Sequence, residues 1–296
     1  MKNRKHKARA FLEGAIHGGF LVLGLLAVGF VLLVSIYLII AGIPAIREIG
    51  LIPFLFGKKW APTAAEPAYG ILPFILTSIY GTAGAILLGV PIGFFTAVYL
   101  AKFAPPTVKN VVGHMISLLA GIPSVVYGLV GMIVLVPGIR KLFGLSDGSG
   151  LLAAILVLTV MILPSIIKVS VTALEAVPKE YEDASLALGA TKEETCFRIS
   201  VRAAGSGIAA AVVLGVGRAI GEAMAVAMVS GNATNNMPSL FQSVRFLTTA
   251  VSSEMSYAQE GLQRQALFSI ALVLFLFIML INATLNFFLK RKGENK

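Results

Sequence analysis

With 57% apolar side chains in 296 residues, 13% charged ones and a mean hydropathy of +0.89, the chain is far greasier than a soluble core requires. Its net charge of +10 falls in particular loops and at the ends, which argues for membrane topology and against nucleic-acid binding. Cys196 is the only cysteine and His6, His17 and His114 are scattered, so an intramolecular disulfide and a cysteine metal cluster are excluded.

A hydrocarbon slab about 30 Å thick takes roughly 20 apolar residues per helix. Stretches 19–41, 71–100, 111–136, 151–171, 207–230 and 266–289 meet that standard and predict six spans. The first follows a basic start, Met1 to Arg9. Its apolar run exceeds a signal core of about 7–15 residues and no cleavage site follows, so a retained span is expected. With the N-terminus inside, segments 1–18, 101–110, 168–206 and 290–296 carry sixteen lysines and arginines. The opposite segments, 42–70, 137–150 and 231–265, carry seven. That bias predicts cytoplasmic termini, with 1–18 a basic N-terminal segment, 19–289 the membrane domain and 290–296 a tail. The basic ends also suit anionic lipid headgroups.

Loop 42–70 contains "IREIGLIPFLFGKKW", whose apolar residues and Trp60 suit a segment lying at the outer interface. The second span is expected to break at Gly89, Pro91 and Gly93, the third at Gly121 and Pro123, and the fourth at Pro164. Loop 231–265 alternates apolar and polar positions and predicts a short re-entrant or interfacial helix. "NAT" at 232–234 is a weak match to a glycosylation acceptor.

Between the fourth and fifth spans lies a polar run, "EAVPKEYEDASLALGATKEETCFRIS". Pro178 suits the first turn of a helix, and Tyr181, Ala184 or Ser185, and Leu188 follow at helical spacing. Gly189 is placed to end that helix in a left-handed conformation. Thr191 with Glu194 three residues on forms a capping box for a second helix. The residues alone admit two readings, a plain interfacial hairpin or a knob that docks on a cytoplasmic partner. The run resembles the EAA loop of ABC importer permeases, whose pattern is Glu-Ala-Ala, three residues, Gly, nine residues, Ile-x-Leu-Pro. The matching positions are Asp183, Ala184, Ser185, Gly189, Ile199, Val201 and Arg202, with Asp for Glu, Ser for Ala, Val for Leu and Arg for Pro. The resemblance implies that Asp183, Ala184, Ser185, Leu188, Gly189, Ala190 and Thr191 belong to a coupling surface that fits a groove on an ATPase subunit. No G-x-x-x-x-G-K-[ST] loop occurs, so any nucleotide must bind a separate subunit. No cofactor and no catalytic constellation is expected.

In "VLGVGRAIGEAMAVAMVSGN", Arg218 and Glu222 are four residues apart, one turn along the same helix face. Charges there are costly unless paired or hydrated. Gly215, Gly217 and Gly221 allow another helix or a substrate to come close. Two accounts remain open: an ion pair that neutralises itself, or a cationic site for a passing oxyanion, for which a guanidinium fork is suited.

"GILPFILTSIYGT", "LAGIPSVVYGLVG", "GRAIGEAMAVAMVSGN" and "SSEMSYA" together resemble the PstC-type permease of phosphate-specific ABC importers, over about residues 70–289. The resemblance implies an all-α, six-helix MetI-like permease of type I importers, in a bacterial or archaeal inner membrane. Its coupling loop would cover about 172–206. It also implies a PstA-type sister permease, a PstB-type ATPase dimer and a PstS-type phosphate-binding protein as partners, with Arg218 and Glu222 in the pathway. A permease for molybdate, sulfate or phosphonate is the nearest alternative. A secondary transporter would need no coupling hairpin.

Overall fold

The computed structural model describes residues 2–294; Met1, Asn295 and Lys296, assigned above to the terminal segments, lie outside the described residues. The chain is almost entirely helical. α1 spans Lys2–Ile49 and α2 Leu51–Phe56, and a two-stranded antiparallel pair follows, β1 Trp60–Ala61 with β2 Ala68–Tyr69. α3, Leu72–Val98, runs on through a wide π turn at Tyr99–Phe103. Next come α4 (Pro106–Gly121), α5 (Ser124–Val130), a second π turn and α6 (Val136–Phe143). α7 is Leu151–Glu175, α8 Lys179–Ala187, α9 Lys192–Thr195 and α10 Val201–Ala203. α11 (Gly205–Gly221), α12 (Met224–Val229), α13 (Leu247–Glu254) and α14 (Leu262–Glu294) complete the chain.

Among the described residues, five helical stretches are long and apolar enough to cross a membrane: Ile16–Ile49, Leu72–Phe103, Ser124–Phe143, Leu151–Glu175 and Leu262–Thr284. A sixth is made by Lys192–Ala203 and Gly205–Gly221, bent by 70°. The third predicted span, 111–136, is not one helix. The chain breaks at Gly121–Pro123, as the residues there predicted, and the apolar span starts at Ser124. The fifth, predicted over 207–230, ends its helix at Gly221.

α7 is the axis of the bundle. Leu158, Met161, Ile162 and Ile166 on it are essentially fully buried against α3, α11 and α12. The second and fourth spans do not break where their glycines and prolines suggested. α3 is continuous through Pro91 and α7 through Pro164. The glycines serve close approach instead. A Cβ on Gly84 would stand 2.6 Å from Ile155, one on Gly89 2.6 Å from Ile162, and one on Gly93 2.8 Å from Ile166. Small residues at a helix crossing let backbones approach where lipid supplies no hydrophobic drive.

The loops gather at two ends. Segments 42–70 and 231–265 meet through Trp60, whose indole Nε1 donates to Glu254 Oε2 at 3.0 Å, and segment 137–150 joins them where the Phe143 and Phe241 rings stand 4.8 Å apart. At the far end, 101–110 meets the polar hairpin.

Candidate functional site

Two constellations hold the residues that the sequence singled out, the hairpin α8–α9 and the interruption between α11 and α12.

In the hairpin, local rules dictate the fold. Pro178 precedes α8, and Leu188 closes it. Gly189 then turns the chain at φ +87°, the left-handed region that glycine enters without steric cost. Thr191 Oγ1 accepts from Glu194 N–H at 3.2 Å while Glu194 Oε2 accepts from Thr191 N–H at 3.2 Å, the expected capping box. The second helix is short, and passes through a π turn at Cys196–Ser200 into α10. Leu188 is 90% exposed and Tyr181 is exposed as well, flanking a groove of about 350 Å³ that includes Ala184, Ser185, Glu194 and Arg198. Asp183 and Gly189 are exposed, and Ala190 is half-buried. Ser185, which stands where the family pattern has alanine, joins its hydroxyl to Thr195 Oγ1 at 2.9 Å and so ties the two arms together.

Glu182 is a member of this site that the sequence did not reveal. Its carboxylate pairs with Lys102 Nζ and accepts from Ser200 Oγ at 2.7 Å, anchoring α8 to the π turn that ends α3. Burial raises its pKa, but the bonds from Lys102 and Ser200 outweigh that and hold it below the ordinary carboxylate value. Lys109 and Glu175 pair nearby. Partners eighty positions apart leave no local signal.

Arg218 and Glu222 do not share a helix face. Glu222 sits at the end of α11 in extended backbone (φ −75°, ψ 123°), and no ion pair joins it to Arg218. Glu222 Oε1 instead accepts from Ala225 N–H at 3.0 Å, capping α12, and its backbone carbonyl accepts from Thr248 Oγ1 at 2.8 Å. Arg218 lies in the last turn of α11, where a cation is favoured by the helix dipole, and donates from Nη1 to Ser165 Oγ at 3.3 Å. The break thus compensates each charge separately.

A second interruption packs beside the first. α5 begins after Pro123 and lies on α12, with Gly128 against Ala225 and Gly131 against Val229. Tyr127 Oη donates to Leu119 O at 2.6 Å, bridging the α4–α5 break. Of the three glycines near the pair, Gly215 packs on Ile166, while Gly217 and Gly221 face open space.

At the loop-rich end, Trp60 is buried, not interfacial, and α13 is folded into the protein with Leu247, Thr249 and Ala250 covered. Arg245 pairs with Glu254, donates from Nε to Asn232 Oδ1 at 2.9 Å, and stands 5.9 Å from the centre of the Phe74 ring. Asn232, the asparagine of the "NAT" match, is therefore engaged by Arg245. Among the described residues no group of three or more His, Cys, Asp or Glu could hold a metal ion.

Residues 89–292 match the family model described as binding-protein-dependent transport system inner membrane component. The probable ABC transporter permease protein YqgH of Bacillus subtilis is 41% identical over 255 residues, covering 84% of this chain and 82% of that protein. The phosphate transport system permease protein PstC of Haemophilus influenzae is 32% identical over 301 residues, covering 95% and 94%. Among solved structures, a chain of the inward-facing MetNI methionine ABC transporter superposes with TM-score 0.59 at 19% identity, over 75% of this chain and 97% of that one. A chain of the bacterial alginate ABC transporter gives TM-score 0.61 at 14% identity, over 93% and 94%. At such identities the structures speak for the fold.

Proposed function

The chain belongs to the family of inner-membrane components of binding-protein-dependent transport systems and is the permease component of an ABC importer; we propose that the solute it passes is inorganic phosphate. The observation that carries this reading is Arg218 at an interrupted helix, bonded to the neutral Ser165 and not to Glu222. A guanidinium without a carboxylate partner keeps its planar fork for a tetrahedral oxyanion. Gly217 and Gly221 leave space beside it. Non-helical backbone at membrane depth is tolerated where it is buried in protein or lines a water-filled cavity, and the break at Glu222 is such a place. Ser165, with its single hydroxyl, is a weak resting partner that a phosphate displaces at small cost. Weak holding is what passage requires.

Glu222 positions the break by capping α12, and Arg218 meets the anion. The relatives named phosphate transport system permeases favour phosphate over molybdate, sulfate or phosphonate. The secondary-transporter reading falls with the family assignment.

The partners in this proposal are a PstA-type sister permease, a PstB-type ATPase dimer and a PstS-type phosphate-binding protein. The ATPase contact is assigned to Asp183, Ala184, Ser185, Leu188, Gly189, Ala190 and Thr191, and exposed Leu188 above the groove supports it. Both termini are placed on the cytoplasmic side, with 1–18 and 290–296 as cytoplasmic segments, 19–289 as the permease domain and 172–206 as its coupling loop. The grouping of lysine-poor loops at the Trp60 end supports that orientation.

The test is to purify the chain with its sister permease and ATPase, reconstitute them in proteoliposomes, and add the loaded binding protein. Phosphate should stimulate ATP hydrolysis and accumulate in the lumen, while sulfate and molybdate should do neither. Stimulation by sulfate or molybdate in place of phosphate would reassign the solute.

A further inference from the structure

At the hairpin end of the bundle, a groove of about 390 Å³ separates α4 from α7. Its walls carry Lys109, Asn110, His114, Ser117, Lys168, Thr172 and the carboxylate of Glu175 among apolar residues. Nothing in the transport or coupling scheme uses them.

The charges there are uneven. Glu175 neutralises Lys109. Lys168 is exposed and, among the described residues, forms no ion pair. It stands seven residues before the end of α7, about 10 Å along the helix axis. At the edge of a span a cation takes water, a snorkelling route or an anion as its partner. A lysine that merely snorkels would rise through apolar surroundings. This one faces a groove with an amide, an imidazole and two hydroxyls.

The donor inventory narrows the occupant. The hydroxyls of Ser117 and Thr172 already donate to Gly113 O (2.8 Å) and Lys168 O (3.0 Å), and the His114 Nδ1 lies 2.6 Å from Asn110 O. The Lys168 ammonium and the Asn110 side-chain amide are left as donors, with the shared charge of Lys109 beside them. A point charge with a neighbouring amide, at the depth of a headgroup, suits a compact anion rich in acceptor oxygens. Basic pockets between spans at this level hold phosphate-bearing headgroups elsewhere.

We propose that the groove between α4 and α7 is a binding site for an anionic phosphate group, inorganic phosphate or the headgroup of an acidic phospholipid, with Lys168 as its principal cation. Neither Arg218 nor its partner Ser165 lines this groove, and the proposal stands whichever solute the subunit imports.

The test uses the full-length chain carrying Arg218→Gln, so that pathway binding is not counted, in phosphatidylcholine nanodiscs. One arm measures equilibrium binding of radiolabelled orthophosphate. The other adds phosphatidylglycerol and measures bound acidic lipid by native mass spectrometry. Lys168→Gln should weaken binding about tenfold in at least one arm, Lys168→Arg should retain most of it, and Lys141→Gln on α6 should change nothing. A loss in the orthophosphate arm identifies the free anion, and a loss in the lipid arm identifies the headgroup. Binding that is unchanged by Lys168→Gln in both arms, or lowered equally by Lys141→Gln, overturns the proposal.

Discussion

Gly189 offers a test in which backbone geometry can be separated from crowding. Its φ is +87°, yet a Cβ built there meets nothing within 4 Å. Substitution therefore costs only what the left-handed conformation costs. Asparagine visits that region readily; alanine pays roughly 1 kcal/mol, and a β-branched residue up to about 3 kcal/mol. Since about 1.4 kcal/mol is a factor of ten, ATPase affinity should stay near wild type for Gly189→Asn and fall about fivefold for Gly189→Ala. For Gly189→Val it should fall about a hundredfold, if the strain is relieved by abandoning the turn. The assay is the affinity of the purified ATPase for permease in nanodiscs, read beside solute uptake at matched membrane abundance. Uptake should follow the same order. If Gly189→Val binds its ATPase and transports as the wild type does, the left-handed turn has no part in coupling.

Two further variants probe how the hairpin and bundle are held. Glu182→Gln should loosen α8 by about 1.5–3 kcal/mol, the range for a hydrogen bond to a charged group, seen as faster amide exchange in α8; Glu182→Leu with Lys102→Met should recover part of the loss. Because the folded pKa of Glu182 is lowered, its contribution is complete above the ordinary glutamate value of 4.5 and is lost as pH falls below it. Protection of α8 amides, taken relative to their intrinsic exchange rates, that falls instead between pH 6 and 8 would contradict this. Gly89→Leu places a Cβ 2.6 Å from Ile162 and should lower stability by about 1–3 kcal/mol through overpacking, whereas Gly113→Ala, in open space inside α4, should melt at or above the wild type in detergent.

What was legible in the sequence follows from how local each cause is. The left-handed Gly189 and the Thr191–Glu194 box depend on residues three or four apart, and both stand as read. The Arg218–Glu222 pair was misread because i,i+4 spacing places two side chains together only on an unbroken helix. The break at Glu222 depends on Thr248 and on α5 packing beneath α12, contacts that no window around 222 contains. The same distance hid Glu182 with Lys102, and turned Trp60 from an interfacial anchor into a buried donor to Glu254. Glycine and proline marked punctuation ambiguously. Pro123 ends a helix, while Gly89 and Gly93 merely admit Ile162 and Ile166.

The central claim, that Arg218 meets the moving phosphate, is tested most directly by phosphate uptake into proteoliposomes containing wild type, Arg218→Gln, Glu222→Gln and the double variant at equal abundance. With Arg218 bonded to Ser165 and not to Glu222, losing the guanidinium strands no carboxylate. Assembly and basal ATP hydrolysis should survive in Arg218→Gln, and uptake should be lost there and remain lost in the double variant. Arg218→Lys should restore only part, since an ammonium replaces a planar fork. Uptake that returns when both charges are removed would contradict the claim and make the pair structural.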